Sequence, residues 1–209
     1  MARLVLFSGG CNSGKTTTLK AVADKLIELG YNVHILDELI RKETDRPIDE
    51  LRKDANAYLD LQNKIIREKI KQEKLAIEDS SYDIFLADRA ATDSMFYLEN
   101  YVDKNQLDDT HIAMFCELHK SLHEYLKRYF WRYHLIVQFA PLEVKEQDQF
   151  RPKRVDILKD YEAHCIERLN FVYSQGISQY ISRVQMLNVD LNYSVWKESA
   201  VDKIISLIK

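Results

Sequence analysis

The stretch "LVLFSGGCNSGKTTTLKAV", Leu4 to Val22, sets an apolar run directly before a glycine-rich loop and a Lys-Thr-Thr-Thr helix start. Leu4 to Ser8 predicts a buried parallel strand, and Lys15 to Leu29 shows apolar residues at helical spacing before Gly30. The segment between them fits the phosphate-binding loop, in which a Gly and four residues precede Gly-Lys-Ser/Thr. The pattern residues are Gly9, Gly14, Lys15 and Thr16. A chance Gly-Ser turn is the alternative, and the strand before and helix after argue against it.

This loop predicts a site for ATP and Mg²⁺. Backbone N–H groups would surround the phosphates, and the new helix would direct its positive N-terminal dipole at them. Lys15 would reach the β- and γ-phosphates, and the Thr16 hydroxyl would bind Mg²⁺. The predicted nucleotide-binding residues are Gly9, Gly10, Cys11, Asn12, Ser13, Gly14, Lys15, Thr16 and Thr17.

Beyond the loop, strands alternate with helices, which predicts an α/β fold. Further strands are expected at Tyr31–Leu36, Ile84–Ala87, Leu135–Phe139 and, more weakly, near Tyr180–Met186. Helices are expected at about Pro47–Glu78, Thr92–Tyr101, Asp108–Tyr129, Val155–Tyr173 and Ser194–Ile208. We therefore predict a three-layer sandwich of the phosphate-binding-loop NTPase type, with a mainly parallel sheet of about five strands and helices on both faces.

Composition favours one intracellular domain. The 209 residues are 46% hydrophobic, and the scarcity of Gly and Pro leaves no flexible linker, so residues 1–209 are expected to form a single domain. The net charge of −3 gives no overall basic field for nucleic acid. The cysteines, Cys11, Cys116 and Cys165, lack metal-ligand spacing and suit a reducing compartment. No segment approaches the ~20 apolar residues of a membrane span, so we expect a cytoplasmic protein.

Charged residues follow the predicted strands at the edge where parallel sheets bind ligands. Strand two ends in Asp37-Glu38 and strand three in Asp88-Arg89, and a segment with Arg151 and Arg154 follows strand four. Asp88 is placed like the metal-linked acid of phosphate-loop enzymes. Asp37 could instead cap a helix, Asp88 could merely end a strand, and the arginines could be surface charges.

The motifs of two other classes of phosphate-loop protein are missing from the sequence. A GTPase would carry Asp-x-x-Gly and Asn-Lys-x-Asp, and neither occurs. A motor ATPase would place a catalytic acid beside Asp88, where this chain has Arg89. An Arg at this position suits a second anionic or polar substrate beside the γ-phosphate, which favours transfer to an acceptor over transfer to water.

The chain resembles the AAA-like group of small phosphate-loop kinases that includes the kinase domain of bacterial nicotinamide riboside kinases. It is more distantly similar to deoxynucleoside and thymidylate kinases. The matching pieces are "GGCNSGKTT", "DELIRK", "DRAATDSMFY" and "DQFRPKR", from about Ser8 to Tyr173. The first is highly specific, and the Asp-Arg-x-x-x-Asp pattern that ends at Asp93 is moderately so.

The resemblance implies a kinase that uses ATP and Mg²⁺ on a small nucleoside- or nucleotide-like acceptor. Glu38, Arg41, Arg89 and Asp93 would then lie at the acceptor, and Arg151 and Arg154 would belong to a lid of about residues 142–154. The helical segment of about residues 47–79 would cover the acceptor with Tyr58 and Gln62, although both also fit a core pattern. An acceptor-independent ATPase that acts as a regulatory module and a kinase of polynucleotide 5′ ends remain the alternatives, and a homodimer is a further hypothesis.

The residues themselves fit two kinds of acceptor. A hydroxyl acceptor would use Asp37 or Glu38 to orient it and to take its proton. A phosphate acceptor needs no base, and Arg41 and Arg89 would grip it with two parallel hydrogen bonds each. The sequence carries both sets of residues and leaves the choice between nucleoside and nucleotide open.

Overall fold

The structure is a computed structural model of the chain. It describes residues 2–9, 13–36, 39, 43–44, 46, 48–104, 107–129, 132–140, 185–190 and 196–209. The strands are β1 (Arg3–Gly9), β2 (Val33–Leu36), β3 (Ile84–Asp88), β4 (Tyr133–Phe139) and β5 (Gln185–Val189). The helices are α1 (Lys15–Glu28), α2 (Ile48–Leu51), α3 (Ala55–Glu78), α4 (Ala91–Lys104), α5 (Asp109–Tyr129) and α6 (Trp196–Ile208).

The five strands form one parallel sheet in the order β2-β3-β1-β4-β5, which confirms the predicted α/β sandwich. Strand β1 lies at the centre, and Leu4 to Ser8 are all buried because helices cover both faces of the sheet. The register pairs Phe7 with Asp88 and Gly9 with Phe139. The carboxyl ends of β3, β1 and β4 therefore lie at one level, beside the loop that follows β1.

Each face of the sheet has its own apolar core. On one face, residues of α1 and α6 such as Leu26 and Ile204 pack against Val5 and Phe7. On the other face, α3 packs on the sheet through Ala76, and a further cluster joins α3, α4 and α5. Chain connections leave β1 and β3 toward opposite sides of the sheet, which creates a crevice between their carboxyl ends where ligands bind in such folds.

Four predicted features differ from the structure or fall outside its described part. The prediction of one helix over Pro47–Glu78 is wrong, because a turn at Arg52–Asp54 separates α2 from α3. Asp54 begins α3 as its N-cap, and its carboxylate accepts a hydrogen bond from the Ala57 N–H at 3.1 Å. The fifth strand extends beyond its predicted end to Val189, where it pairs with β4. The predicted Val155–Tyr173 helix and the lid of residues 142–154 lie outside the described residues.

Among the described helices, none combines the length and the apolar character that crossing a bilayer requires.

Candidate functional site

Two glycines shape the described ends of the loop between β1 and α1. Gly9 has φ 136°, and a Cβ there would lie 2.6 Å from the Phe139 carbonyl oxygen. Gly14 has φ 79° and precedes the first residue of α1. Both values fall in the region of positive φ that side chains rarely adopt, so the loop depends on glycine at both positions. Gly10, Cys11 and Asn12 lie outside the described residues.

The start of α1 presents positive charge at this loop. The Lys15 side chain is only 5% exposed, and its Nζ donates a hydrogen bond to Ser13 Oγ at 3.2 Å. Gly14 provides no side-chain cap for the helix, and the described first turn contains no acidic residue. Backbone N–H groups at an uncapped helix start are suited to bind an anion such as phosphate.

A contact between Thr16 and Asp88 crosses the crevice between β1 and β3. Thr16 Oγ1 donates a hydrogen bond to Asp88 Oδ2 at 2.6 Å. Asp88 is 4% exposed, and within the described part of the chain its Oδ1 has no hydrogen-bond partner. A hydroxyl and a carboxylate with an unpaired oxygen are hard oxygen ligands, which fit Mg²⁺. Such an ion takes its remaining ligands from water and nucleotide phosphates, so two protein side chains suffice.

The turn from β3 to α4 holds Arg89 in a fixed position. Its φ is 67°, uncommon for a residue with a side chain, and its N–H donates to the Phe7 carbonyl at 3.0 Å. Arg89 is 7% exposed, and its guanidinium donates to the Tyr97 hydroxyl at 2.8 Å and lies 5.2 Å from that ring's centroid. Arg89 is therefore a pre-positioned cation one residue after Asp88.

Asp93 ties the start of α4 to the end of β1. Its Oδ1 accepts hydrogen bonds from Ser8 Oγ at 2.7 Å and from the Gly9 N–H at 3.3 Å. Its Oδ2 accepts one from the Ala90 N–H at 3.0 Å. With 1% exposure, Asp93 supports the geometry at the phosphate loop. The predicted contact of Asp93 with an acceptor stays a prediction.

The other predicted acceptor residues are placed as follows. Tyr58 is 1% exposed and packs on Tyr101 with 4.4 Å between ring centroids, and Gln62 is 3% exposed. Tyr58 therefore belongs to the apolar cluster of α3, α4 and α5, as its place in the core pattern suggested. Asp37, Glu38, Arg41, Arg151 and Arg154 lie outside the described residues, so their roles remain predictions.

Two buried charged residues on α3 were not predicted to have a functional role. Lys69 is 2% exposed, and its Nζ donates to the Asp88 carbonyl oxygen at 2.9 Å. Glu73 is fully buried, and its Oε1 accepts a hydrogen bond from the Ala91 N–H at 3.0 Å. Two charged residues spaced four apart within an apolar helix face were the available signal.

The second carboxylate oxygen of Glu73 joins α3 to α5 and β4. Glu73 Oε2 accepts hydrogen bonds from the Tyr125 hydroxyl, at 2.6 Å, and from the Tyr133 hydroxyl. Burial raises the pKa of Glu73 above its ordinary value. The hydrogen bonds that Glu73 accepts and the nearby positive charge of Lys69 partly oppose that rise. Burial and the neighbouring carboxylate also raise the pKa of Tyr125.

The chain was compared with known protein families and with curated protein sequences. Residues 4–173 match the family model described as an AAA domain. A comparison with curated protein sequences gives no match.

Two solved structures share the fold over nearly the whole chain. One is described as "Crystal structure of NadR protein in complex with NAD and AMP-PNP". It has a TM-score of 0.63 at 15% sequence identity, and the match covers 99% of this chain and 49% of the NadR chain. The other is described as "Crystal structure of NadR protein in complex with NR". It has a TM-score of 0.65 at 16% sequence identity, and the match covers 99% of this chain and 50% of the NadR chain. This chain thus spans about half the length of those proteins, and at this identity the likeness shows the fold.

Proposed function

The chain belongs to the AAA domain family, and on this premise we propose that it is an ATP- and Mg²⁺-dependent kinase acting on a small nucleoside- or nucleotide-like acceptor. The observation that carries the proposal is the Thr16–Asp88 contact, which sets a hydroxyl and a carboxylate side by side at the phosphate loop. Folds of this class serve many activities, so the residues of the site, and not the fold, indicate the function.

The side chains around the loop would act mainly by position and charge. Lys15 and the amino end of α1 would attract the β- and γ-phosphates of ATP. Thr16 and Asp88 would hold Mg²⁺, which when bound neutralises phosphate charge. Since Lys15 is buried and Arg89 is bonded to Tyr97, both cations would be in place before the reaction. Charges fixed in advance stabilise a transition state without the cost of reorganisation.

The acceptor would enter beside Arg89, because this residue directly follows Asp88 and its backbone N–H is bonded to Phe7 of β1. For a hydroxyl acceptor, Asp37 or Glu38 would take the proton as the acceptor oxygen bonds to the γ-phosphorus and the bond from that phosphorus to the leaving ADP breaks. For a phosphate acceptor, Arg41 and Arg89 would bind the incoming anion. The neighbouring NadR structure with NR makes nicotinamide riboside the first nucleoside to test.

The test is a screen for acceptor-dependent ADP release from Mg²⁺·ATP. Nicotinamide riboside, the common nucleosides and their monophosphates would be offered singly, and products would be identified by mass. We expect a product heavier than its acceptor by one phosphoryl group. Lys15→Ala is the matched control, which should fold normally and lose turnover because Lys15 acts on phosphate charge.

The other functions predict different results in the same assay. ADP release at one rate with every acceptor, without a phosphorylated product, would indicate an acceptor-independent ATPase. Phosphorylation of oligonucleotide 5′ ends alone would indicate a polynucleotide kinase. Retention of more than a tenth of the turnover by Lys15→Ala would show that this loop is not the ATP site.

A further inference from the structure

Two buried side chains of α3 hold the turn that connects β3 to α4. Lys69 Nζ donates to the carbonyl oxygen of Asp88, the last residue of β3, at 2.9 Å. Glu73 Oε1 accepts from the N–H of Ala91, the first residue of α4, at 3.0 Å. Residues four apart lie on the same face of a helix. One helix face therefore binds both ends of the turn that carries Asp88 and Arg89.

This turn needs support because its backbone is strained. Arg89 has φ 67°, a conformation that costs on the order of 1–3 kcal/mol and persists only where surrounding contacts enforce it. Two further hydrogen bonds hold the middle of the turn, from the Arg89 N–H to Phe7 and from the Ala90 N–H to Asp93. With Lys69 and Glu73 at its ends, every residue from Asp88 to Ala91 has a fixed backbone group.

The charges of Lys69 and Glu73 are costly at this place. Both residues are at most 2% exposed, and burying charged groups costs free energy that an apolar pair of similar volume would avoid. Packing alone therefore does not explain them. What an apolar pair could not supply is one donor and one acceptor aimed at the Asp88 carbonyl and the Ala91 N–H.

We propose that Lys69 and Glu73 are positioning residues that fix the β3–α4 turn so that the Asp88 carboxylate faces Thr16 and can share Mg²⁺ with it. The inference rests on the proposed function, since it concerns the same metal-nucleotide site. Neither side chain touches the nucleotide; both act through the backbone of Asp88 and Ala91. Groups that orient metal ligands in this way typically change metal affinity or activity by ~10–100-fold when removed.

The experiment measures how much Mg²⁺ tightens the binding of AMP-PNP, by calorimetry with and without the ion. In Lys69→Met and Glu73→Met, we expect that gain in AMP-PNP affinity to fall by ~10-fold or more, because Met provides neither a donor to Asp88 nor an acceptor to Ala91. AMP-PNP affinity without Mg²⁺ should stay within about twofold, because Lys15 and the loop backbone are unaltered. Should Lys69→Met fail to fold, Glu73→Met decides the question.

Two control variants separate positioning from general loss of stability. Leu118→Ala opens a cavity on α5, in the apolar cluster shared by α3, α4 and α5, without removing a bond to the turn. Tyr125→Phe removes a hydroxyl from the other oxygen of Glu73 and leaves the Ala91 hydrogen bond. In both variants, Mg²⁺ should increase the affinity for AMP-PNP as much as it does in the wild-type protein.

The outcomes distinguish this inference from the proposed function. If Lys69→Met and Glu73→Met keep the wild-type gain in AMP-PNP affinity from Mg²⁺, as Leu118→Ala should, the inference is overturned and the kinase proposal stands. A wild-type protein whose AMP-PNP affinity does not respond to Mg²⁺ would refute the metal-nucleotide site, and the inference with it.

Discussion

Substitution of Gly9 by alanine should weaken both the fold and the nucleotide site, because this residue is where β1 meets β4 and the loop begins. The new Cβ would lie 2.6 Å from the Phe139 carbonyl oxygen and 3.2 Å from the Phe139 Cβ. Both strands are central to the sheet, and Gly9 pairs with Phe139 in its register. Relief of the contact therefore requires the two backbones to move apart where the loop starts.

The magnitude has two parts. A positive φ costs a residue with a side chain ~1–3 kcal/mol, and forcing extra volume into a packed region typically adds ~1–3 kcal/mol. The expected destabilisation is thus about 2–6 kcal/mol, and at roughly 2–4 °C per kcal/mol for a domain of this size it lowers Tm by at least several degrees.

Gly30→Ala is the matched control. Gly30 also has a positive φ, 89°, but a Cβ there would meet nothing within 4 Å. It follows α1, where its N–H donates to the Ile27 carbonyl at 2.9 Å, away from the phosphate loop. The control should carry only the cost of conformation, ~1–2 kcal/mol. The difference between the two variants then measures the clash with Phe139.

Calorimetric unfolding would give both Tm values, and AMP-PNP titration would give both affinities. We expect Gly9→Ala to melt below Gly30→Ala and to bind the nucleotide analogue more weakly, whereas Gly30→Ala keeps wild-type affinity. Equal Tm values for the two variants would refute the argument from close approach. Unchanged AMP-PNP affinity in Gly9→Ala would refute the link between this strand contact and the loop.

Three further predictions concern charged residues. Asp88→Asn should lower turnover in a way that added Mg²⁺ partly restores, and turnover unchanged at every Mg²⁺ concentration would reassign the metal ligand. Because burial raises the pKa of Glu73 from its ordinary 4.5, protonated Glu73 favours folding. The contribution of Glu73 to the free energy of unfolding is fully present below pH 4.5 and is lost as the pH rises through the pKa of Glu73 in the native state. Glu73→Gln should flatten this part of the stability profile, and parallel profiles of Tm against pH for the two proteins would contradict it. Arg151→Ala should lower kcat more than it raises KM for ATP, with little recovery in Arg151→Lys because an ammonium lacks the planar fork. A surface role for Arg151 predicts near-normal kinetics for both variants.

Much of the fold could be predicted because its signals are local in sequence. The apolar runs before Gly9 and before Asp88 are buried on both faces, and such strands show as continuous apolar segments. The fifth strand was harder to place because β5 lies at the sheet edge and three of its five residues are exposed. Its bounds depend on pairing with β4, which is a tertiary contact that a window of sequence does not contain.

The same difference between local signals and tertiary contacts applies to the residues of the candidate site. Lys15, Thr16 and Asp88 were predictable because a loop motif and a strand end mark them in the sequence. Lys69 and Glu73 were not, because an apolar helix face with two charged members fits a solvated edge as well as a buried pair. A buried charge must find a partner, since desolvation makes an unpaired one costly. The rule therefore predicts that Lys69 has a partner, but not that it is a carbonyl nineteen residues away on another element. That choice is made by the packing of α3 against β3, and it turns a helix expected to cover the acceptor into one that also holds the turn bearing Asp88.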